Sequence, residues 1–121
     1  MAGLAVFVVE DESVIAMQLE DMLMDAGCQI VGPAMRFKSA LKMVEEESEV
    51  GVAILDVNLG DTTVFPIAER LRAANIPIVF ATGYGRDGVP GEWTVYPILQ
   101  KPYTARQIED AILAVVSESA R

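Results

Sequence analysis

The chain has 121 residues, 52% of them hydrophobic, which suits one domain with one sizeable core and argues against disorder. Its formal net charge of −9, from 18 acidic and 9 basic residues, argues against nucleic acid and against anionic membrane surfaces as partners. With no histidine and one cysteine, Cys28, it excludes histidine catalysis, a Ser-His-Asp triad, His-ligated metals, an internal disulfide and a thiolate zinc site.

The single cysteine suits a reducing, cytoplasmic compartment. No apolar run is long enough to span a bilayer. The first apolar stretch, Leu4 to Val9, has no basic segment before it and ends in Glu10-Asp11-Glu12. It therefore reads as a strand and not as a signal peptide. Ser13 is placed to cap the next helix, with Ile15, Leu19, Met22 and Ala26 at helical spacing and Gly27 as its C′ residue. Residues 28–31 form a short strand closed by Gly32-Pro33. Phe37, Ala40, Leu41 and Val44 mark a second amphipathic helix. It dissolves into the acidic run from Glu45 to Glu49, read as a solvated face and loop. Met17, Met22, Met24 and Met43 are expected to fill the core.

Four apolar residues, Val52 to Leu55, then run without a polar break and stop at Asp56. That is how a strand buried on both faces reads when its C-terminal end opens to solvent. A turn with several capping candidates follows at Gly60-Asp61-Thr62-Thr63. The third helix runs to about Asn75, with Ile67, Leu71 and Ala74 on one face. Pro66 fits only its first turn, so its start lies near Thr63 or Val64. The strand from Ile76 to Ala81 leads into Thr82. From Gly83 to Glu92 there are four glycines and one proline, so a regular helix here should be short or poorly formed. A last strand, Thr94 to Leu99, leads into Gln100-Lys101. Thr104 to Gln107 has a capping-box pattern, with Ile108, Ala111, Ile112 and Val115 as the buried stripe of a final helix. No repeat, linker or second domain is visible. Five βα units, the last two loosely joined, give a parallel sheet with helices on both faces.

If the strands are parallel, their ends meet at one edge, where open α/β folds place their chemistry. Glu10, Asp11 and Asp56 become neighbouring carboxylates that raise each other's pKa or recruit a cation. Oxygen-only ligands suit Mg²⁺. Lys101 and Thr82 would neutralise and hydrogen-bond a phosphoryl group, and the chemistry suggested is attack of Asp56 on phosphorus to give an aspartyl phosphate. Each residue also has a plain structural reading. Asp56 could cap the next helix or turn, and Glu10-Asp11-Glu12 could complement a helix dipole. Thr82 could be a simple β-branched strand residue, and Lys101 an ion-pair partner. Four strand ends with complementary groups in one chain carry the specificity.

Val8-Val9-Glu10-Asp11-Glu12, Leu55-Asp56-Val57-Asn58, Thr82 and Lys101-Pro102 resemble the receiver domain of bacterial two-component response regulators, over essentially the whole chain. The stretch from Pro77 to Tyr84 further resembles a stand-alone receiver subgroup with a Phe-Ala-Thr-Gly signature. The resemblance implies a flavodoxin-like (βα)5 three-layer sandwich with strand order 2-1-3-4-5 and an irregular fourth helix. It implies a single receiver domain over residues 1–121 with no output domain. Asp56 is then the phosphoacceptor, fed by a sensor histidine kinase. Asp11, Asp56 and the Asn58 backbone carbonyl hold Mg²⁺, Glu10 acts through water, and Thr82 and Lys101 bind the phosphoryl group. The Lys101-Pro102 bond is expected to be cis. Such a protein is a signalling phosphoprotein of a phosphorelay, catalysing only its own phosphotransfer and dephosphorylation. Its further partner would be a histidine phosphotransferase or a downstream regulatory protein, reached through altered contacts or by acting as relay or sink. The chain departs from the family at Ile98, where an aromatic residue is usual, and at the glycine-rich stretch.

Two other classes fit the sequence less well. A Mg²⁺-dependent phosphatase needs a general acid two residues after the nucleophile, and Asn58 cannot transfer that proton. A flavodoxin-like cofactor carrier needs a Gly/Ser/Thr-rich cradle where this chain has Glu10-Asp11-Glu12.

Overall fold

A computed structural model describes residues 1–46 and 49–119, with side chains to residue 117. Its elements are β1 (Ala5–Val9), α1 (Ser13–Asp25), β2 (Gln29–Ala34), α2 (Phe37–Glu46), β3 (Val52–Asp56), β4 (Asn58–Leu59), β5 (Thr62–Thr63), α3 (Phe65–Ala73), β6 (Ile78–Thr82), β7 (Ile98–Gln100) and α4 (Ala105–Ser119). Five strands pair in parallel in the order β2-β1-β3-β6-β7, and β4 and β5 form a separate two-residue hairpin. This is the flavodoxin-like three-layer arrangement expected from the sequence.

Period-two alternation sorts the strand residues onto two cores. Phe7, Val9, Ala53, Leu55, Ile78 and Phe80 pack with Ala40 of α2 and with Ile67, Ala68 and Leu71 of α3. Val6, Val8, Val52, Ile54 and Val79 pack with Leu19 and Leu23 of α1 and with Ile108, Ala111 and Ile112 of α4. Every residue of β3 is buried, because helices cover both faces of the central strand.

The last helix opens on a complete capping box. Thr104 Oγ1 accepts from the Gln107 N–H at 3.1 Å, and Gln107 Oε1 accepts from the Thr104 N–H at 2.8 Å. Gly27 takes φ +86° just past α1, and Pro66 lies in the first turn of α3, both as the sequence indicated.

Several local expectations are corrected. Ser13 is the first helical residue and caps nothing; the N-cap is Glu12, with no side-chain cap bond. The buried stripe of α1 is Ala16, Leu19 and Leu23, so Met17 and Met24 fall on the solvent side, 64% and 61% exposed. The two methionines are seven residues apart and share a face, but the small Ala16 lets the neighbouring face approach the sheet instead. The second strand does not close at Gly32-Pro33; it runs through them to Ala34, with a register irregularity in its pairing to β1. Pro33 is tolerated there because β2 is an edge strand with no neighbour to receive its missing N–H. Ala74 is exposed, and Ala68 takes the core position on α3. The final strand is shorter than expected, since residues 94–97 precede it outside the sheet. Of the acidic run, residues 47 and 48 lie outside the described residues.

The glycine-rich stretch forms two short 3₁₀ turns, Gly85–Gly88 and Gly91–Trp93, in place of a helix. Its composition explains this, as four glycines and a proline leave too little helical free energy. Trp93 anchors its end in the core. Its ring stacks on Phe65 at 5.9 Å, meets Phe80 edge-on at 5.8 Å, and lies under the Arg72 guanidinium at 4.2 Å.

Candidate functional site

Register alone assembles the site. Val9 pairs with Leu55, so Glu10 and Asp56 are adjacent ends of β1 and β3. Asp56 pairs with Ala81, which puts Thr82 one step beyond it on β6. Thr82 pairs with Gln100, and the Lys101 N–H donates to the Thr82 carbonyl at 2.9 Å. Four chemistry-bearing residues therefore meet at the carboxyl edge of the sheet, and Asp11 follows Glu10 into the same place.

The carboxylates converge. Glu10, Asp11 and Asp56 each present one oxygen, and these oxygens lie within 4.8 Å of one another. Lys101 is the counter-charge. Its ammonium lies 2.7 Å from Glu10 Oε1, 3.2 Å from Asp56 Oδ1 and 3.8 Å from Glu12 Oε1. Asp56 is 5% exposed and Thr82 is fully buried. The Thr82 hydroxyl oxygen accepts the Tyr84 N–H at 3.1 Å. The Lys101-Pro102 peptide is cis. Asp56, Asn58, Gly60, Tyr84 and Lys101 line an open cleft of about 350 Å³ at this edge.

Electrostatics separate the three acids. Burial, then the neighbouring Glu10 and Asp11, push Asp56 up to about 8. Burial also acts to raise Asp11. Hydrogen bonds with Asp56 and from the Gly60 N–H, 2.9 Å from Asp11 Oδ2, outweigh it and hold Asp11 below the ordinary carboxylate value. For Lys101 burial opposes the charge, but the Glu10 hydrogen bond and the Asp56 charge more than offset it, so its pKa is raised. Burial and the two neighbouring acids thus disfavour the charged form of Asp56, while Lys101 opposes them. An oxygen-only donor set with surplus negative charge and an open side is what a hard divalent cation requires, so these residues fit one.

The plain readings fare unevenly. Asp56 does not cap α3, whose N-cap Val64 has no side-chain partner. Lys101 is an ion-pair member, but one with little exposure that is held by two buried acids, which a surface salt bridge is not. The sequence did not single out two contributors. Glu12 reaches toward Lys101, and the Gly60 N–H ties Asp11 to the β4–β5 hairpin. Only the run of three acids hinted at the first; nothing in local pattern announced the second.

The fold and this edge define a doubly wound α/β domain with an acidic, lysine-bearing site at the topological switch point. Residues 6–113 match the response regulator receiver domain, and the chain belongs to that family. It is similar to the solution structure of SdrG from Sphingomonas melonis Fr1, with 41% identity, a TM-score of 0.83 and coverage of 97% of this chain and 98% of that one. It is 28% identical over 89 residues to the phyllosphere-induced regulator PhyR of Methylorubrum extorquens. That match covers 72% of this chain, which spans only 33% of the relative's length. It is also similar to a variant of the anti-anti-sigma factor PhyR from Bartonella quintana, with 25% identity, a TM-score of 0.83 and coverage of 98% and 50% of the two chains. Among the described residues no helix is long and apolar enough to cross a membrane.

Proposed function

We propose that the chain is a phosphoacceptor signalling module in which Asp56 takes a phosphoryl group from a histidine kinase. The observation that carries this reading is the buried Asp56 carboxylate, 3.2 Å from the Lys101 ammonium at the end of the central strand. A carboxylate oxygen attacks phosphorus, the phosphorus–nitrogen bond to the donor imidazole breaks, and the leaving nitrogen keeps the electron pair and takes up a proton. Lys101 offsets charge on a transferred phosphoryl oxygen, and the Thr82 hydroxyl donates to another. Asp11, Asp56 and the Asn58 backbone carbonyl are the residues to hold Mg²⁺, with Glu10 acting through water. A cation held there would offset the charge of the acid cluster and of the transferred phosphoryl group.

The chain's catalysis is confined to its own phosphorylation and, by water attack on the same phosphorus, its own dephosphorylation. The phosphorylated form then alters protein contacts or passes the group on as a relay or sink. The similarity to proteins named as PhyR, one of them an anti-anti-sigma factor, supports a regulatory protein as the downstream partner. The test is transfer from a phosphorylated histidine kinase. Label should move to the wild-type chain and not to Asp56→Asn, a nearly isosteric change. Equal labelling of the variant refutes the assignment of Asp56.

A further inference from the structure

Glu12 is the acid of the site with no structural task. Glu10 is buried and holds Lys101, Asp11 accepts the Gly60 N–H, and Asp56 ends the central strand. The Glu12 side chain caps nothing, although the residue is the N-cap of α1. It lies 3.8 Å from the Lys101 ammonium and is 63% exposed, a long and solvated ion pair of the kind that adds little stability. Its place is nevertheless fixed. The Glu12 N–H donates to Glu10 Oε2 at 3.2 Å, so the acid that grips Lys101 also pins the Glu12 backbone.

That place is the mouth of the cleft. Asp11, Glu12, Asp56 and Lys101 all line it, and among its described lining residues Lys101 is the one cation. Glu12 also borders the neighbouring cavity of about 310 Å³, beside Ile15, Met22 and Tyr103. With Asp56 ionised for attack, Glu10, Asp11, Glu12 and Asp56 set four negative charges against the single ammonium of Lys101. A divalent cation on these residues offsets two of the surplus three, and one negative charge remains. Without the Glu12 carboxylate the loaded site is neutral. The net charge of the whole chain, −9, adds to the repulsion of an approaching anion.

We infer that Glu12 is a donor-selecting residue, whose exposed carboxylate holds small anionic phosphodonors such as acyl phosphates away from Asp56. The inference rests on the proposed phosphoacceptor role. With an acyl phosphate the displacement is of the same kind. An Asp56 oxygen bonds to phosphorus, the phosphorus–oxygen bond to the acyl group breaks, and the carboxylate leaves with the electron pair. Glu12 acts on the approach and not on that bond, by lowering the concentration of the anion at the mouth. A phosphohistidine on a donor protein is delivered by a whole interface, where one rim charge weighs less. Glu12 thereby insulates the module from small acyl phosphates.

The test compares wild type with Glu12→Gln and Glu12→Asp. Each is incubated with acetyl phosphate at saturating Mg²⁺, and intact mass is followed over time at low and at high ionic strength. Removing one exposed charge beside the path of a small anion should speed Glu12→Gln about three- to ten-fold at low salt. The gain should fade at high salt, where exposed charges are screened. Glu12→Asp keeps the charge and should stay close to wild type. Binding gives a second readout, because beryllofluoride with Mg²⁺ should raise the thermal midpoint more in Glu12→Gln than in wild type. A role confined to the α1 dipole would shift the midpoint without the anion and give no salt-dependent gain in rate. A phosphorylated wild type matched by Glu12→Gln at low salt, or a gain that persists unchanged at high salt, overturns the inference alone. A wild-type chain that takes no phosphoryl group overturns the phosphoacceptor reading and this inference with it.

Discussion

The Lys101 ammonium lies nearer to Glu10, at 2.7 Å, than to Asp56, at 3.2 Å. The lysine is held mainly by the buried Glu10 carboxylate. Under the proposed role, a phosphoryl group on Asp56 would compete with Glu10 for this ammonium.

Removing the cation exposes this dependence. Lys101→Met leaves Glu10 and Asp56 buried without their counter-charge, and losing one member of a buried pair costs roughly 3 kcal/mol. Urea denaturation at neutral pH without Mg²⁺ should show a loss of that order. A change within a few tenths of a kcal/mol would mean that the pair is screened like a surface salt bridge.

Stability should also depend on pH through Asp56. Its folded-state value, raised to about 8 from an ordinary 3.8, means that the folded state binds a proton more tightly than the unfolded chain. That contribution is fully present below the unfolded value and is lost as pH rises through the folded one. Metal-free wild type should lose stability between pH 4 and pH 8 through this group. Asp56→Asn removes the titration, so its stability relative to wild type should grow over the same window. Each pKa unit is worth about 1.4 kcal/mol, so a gain of ~2 kcal/mol or more is expected at pH 8. A gain independent of pH would show that Asp56 is not the titrating group.

Much of the site was legible because buried parallel strands write their ends into the sequence. Val52 to Asp56 announced both a central strand and the carboxylate that closes it. Thr82 and Lys101 were found the same way. The cap at Thr104 was legible because its two partners are three residues apart. Trp93 was not, for it follows a glycine-rich stretch with no periodicity, and its partners Phe65, Phe80 and Arg72 come from two other elements. The exposure of Met17 and Met24 escaped for a related reason. Neighbouring stripes on α1 are both apolar, and the sheet decides between them. Ser13 is a good cap by type, but the helix begins one residue earlier than that role allows.

Trp93 gives a prediction of its own. It is 1% exposed and meets three aromatic rings and a guanidinium. Trp93→Ala should cost about 3–5 kcal/mol, and the loss should register as reduced amide protection across residues 83–96. Trp93→Phe should recover most of it, as the aromatic packing remains. A mild loss in Trp93→Ala would mean that the segment is held from elsewhere.

Metal dependence follows from the acid cluster. A cation that binds the folded state alone raises the thermal midpoint by mass action. The midpoint should climb with Mg²⁺, and Asp11→Ala should remove most of the rise. The same rise in that variant would place the ion away from Glu10, Asp11 and Asp56.

The central claim, that Asp56 is the phosphoacceptor and acts with Mg²⁺, is tested most directly by intact mass after incubation with acetyl phosphate. With Mg²⁺ the wild-type chain should gain the mass of one phosphoryl group, and fragmentation should place it on Asp56. Asp56→Asn, or wild type with the cation chelated, should gain none. An adduct of equal extent on Asp56→Asn, or a wild-type chain that stays unmodified with Mg²⁺ present, would contradict the account.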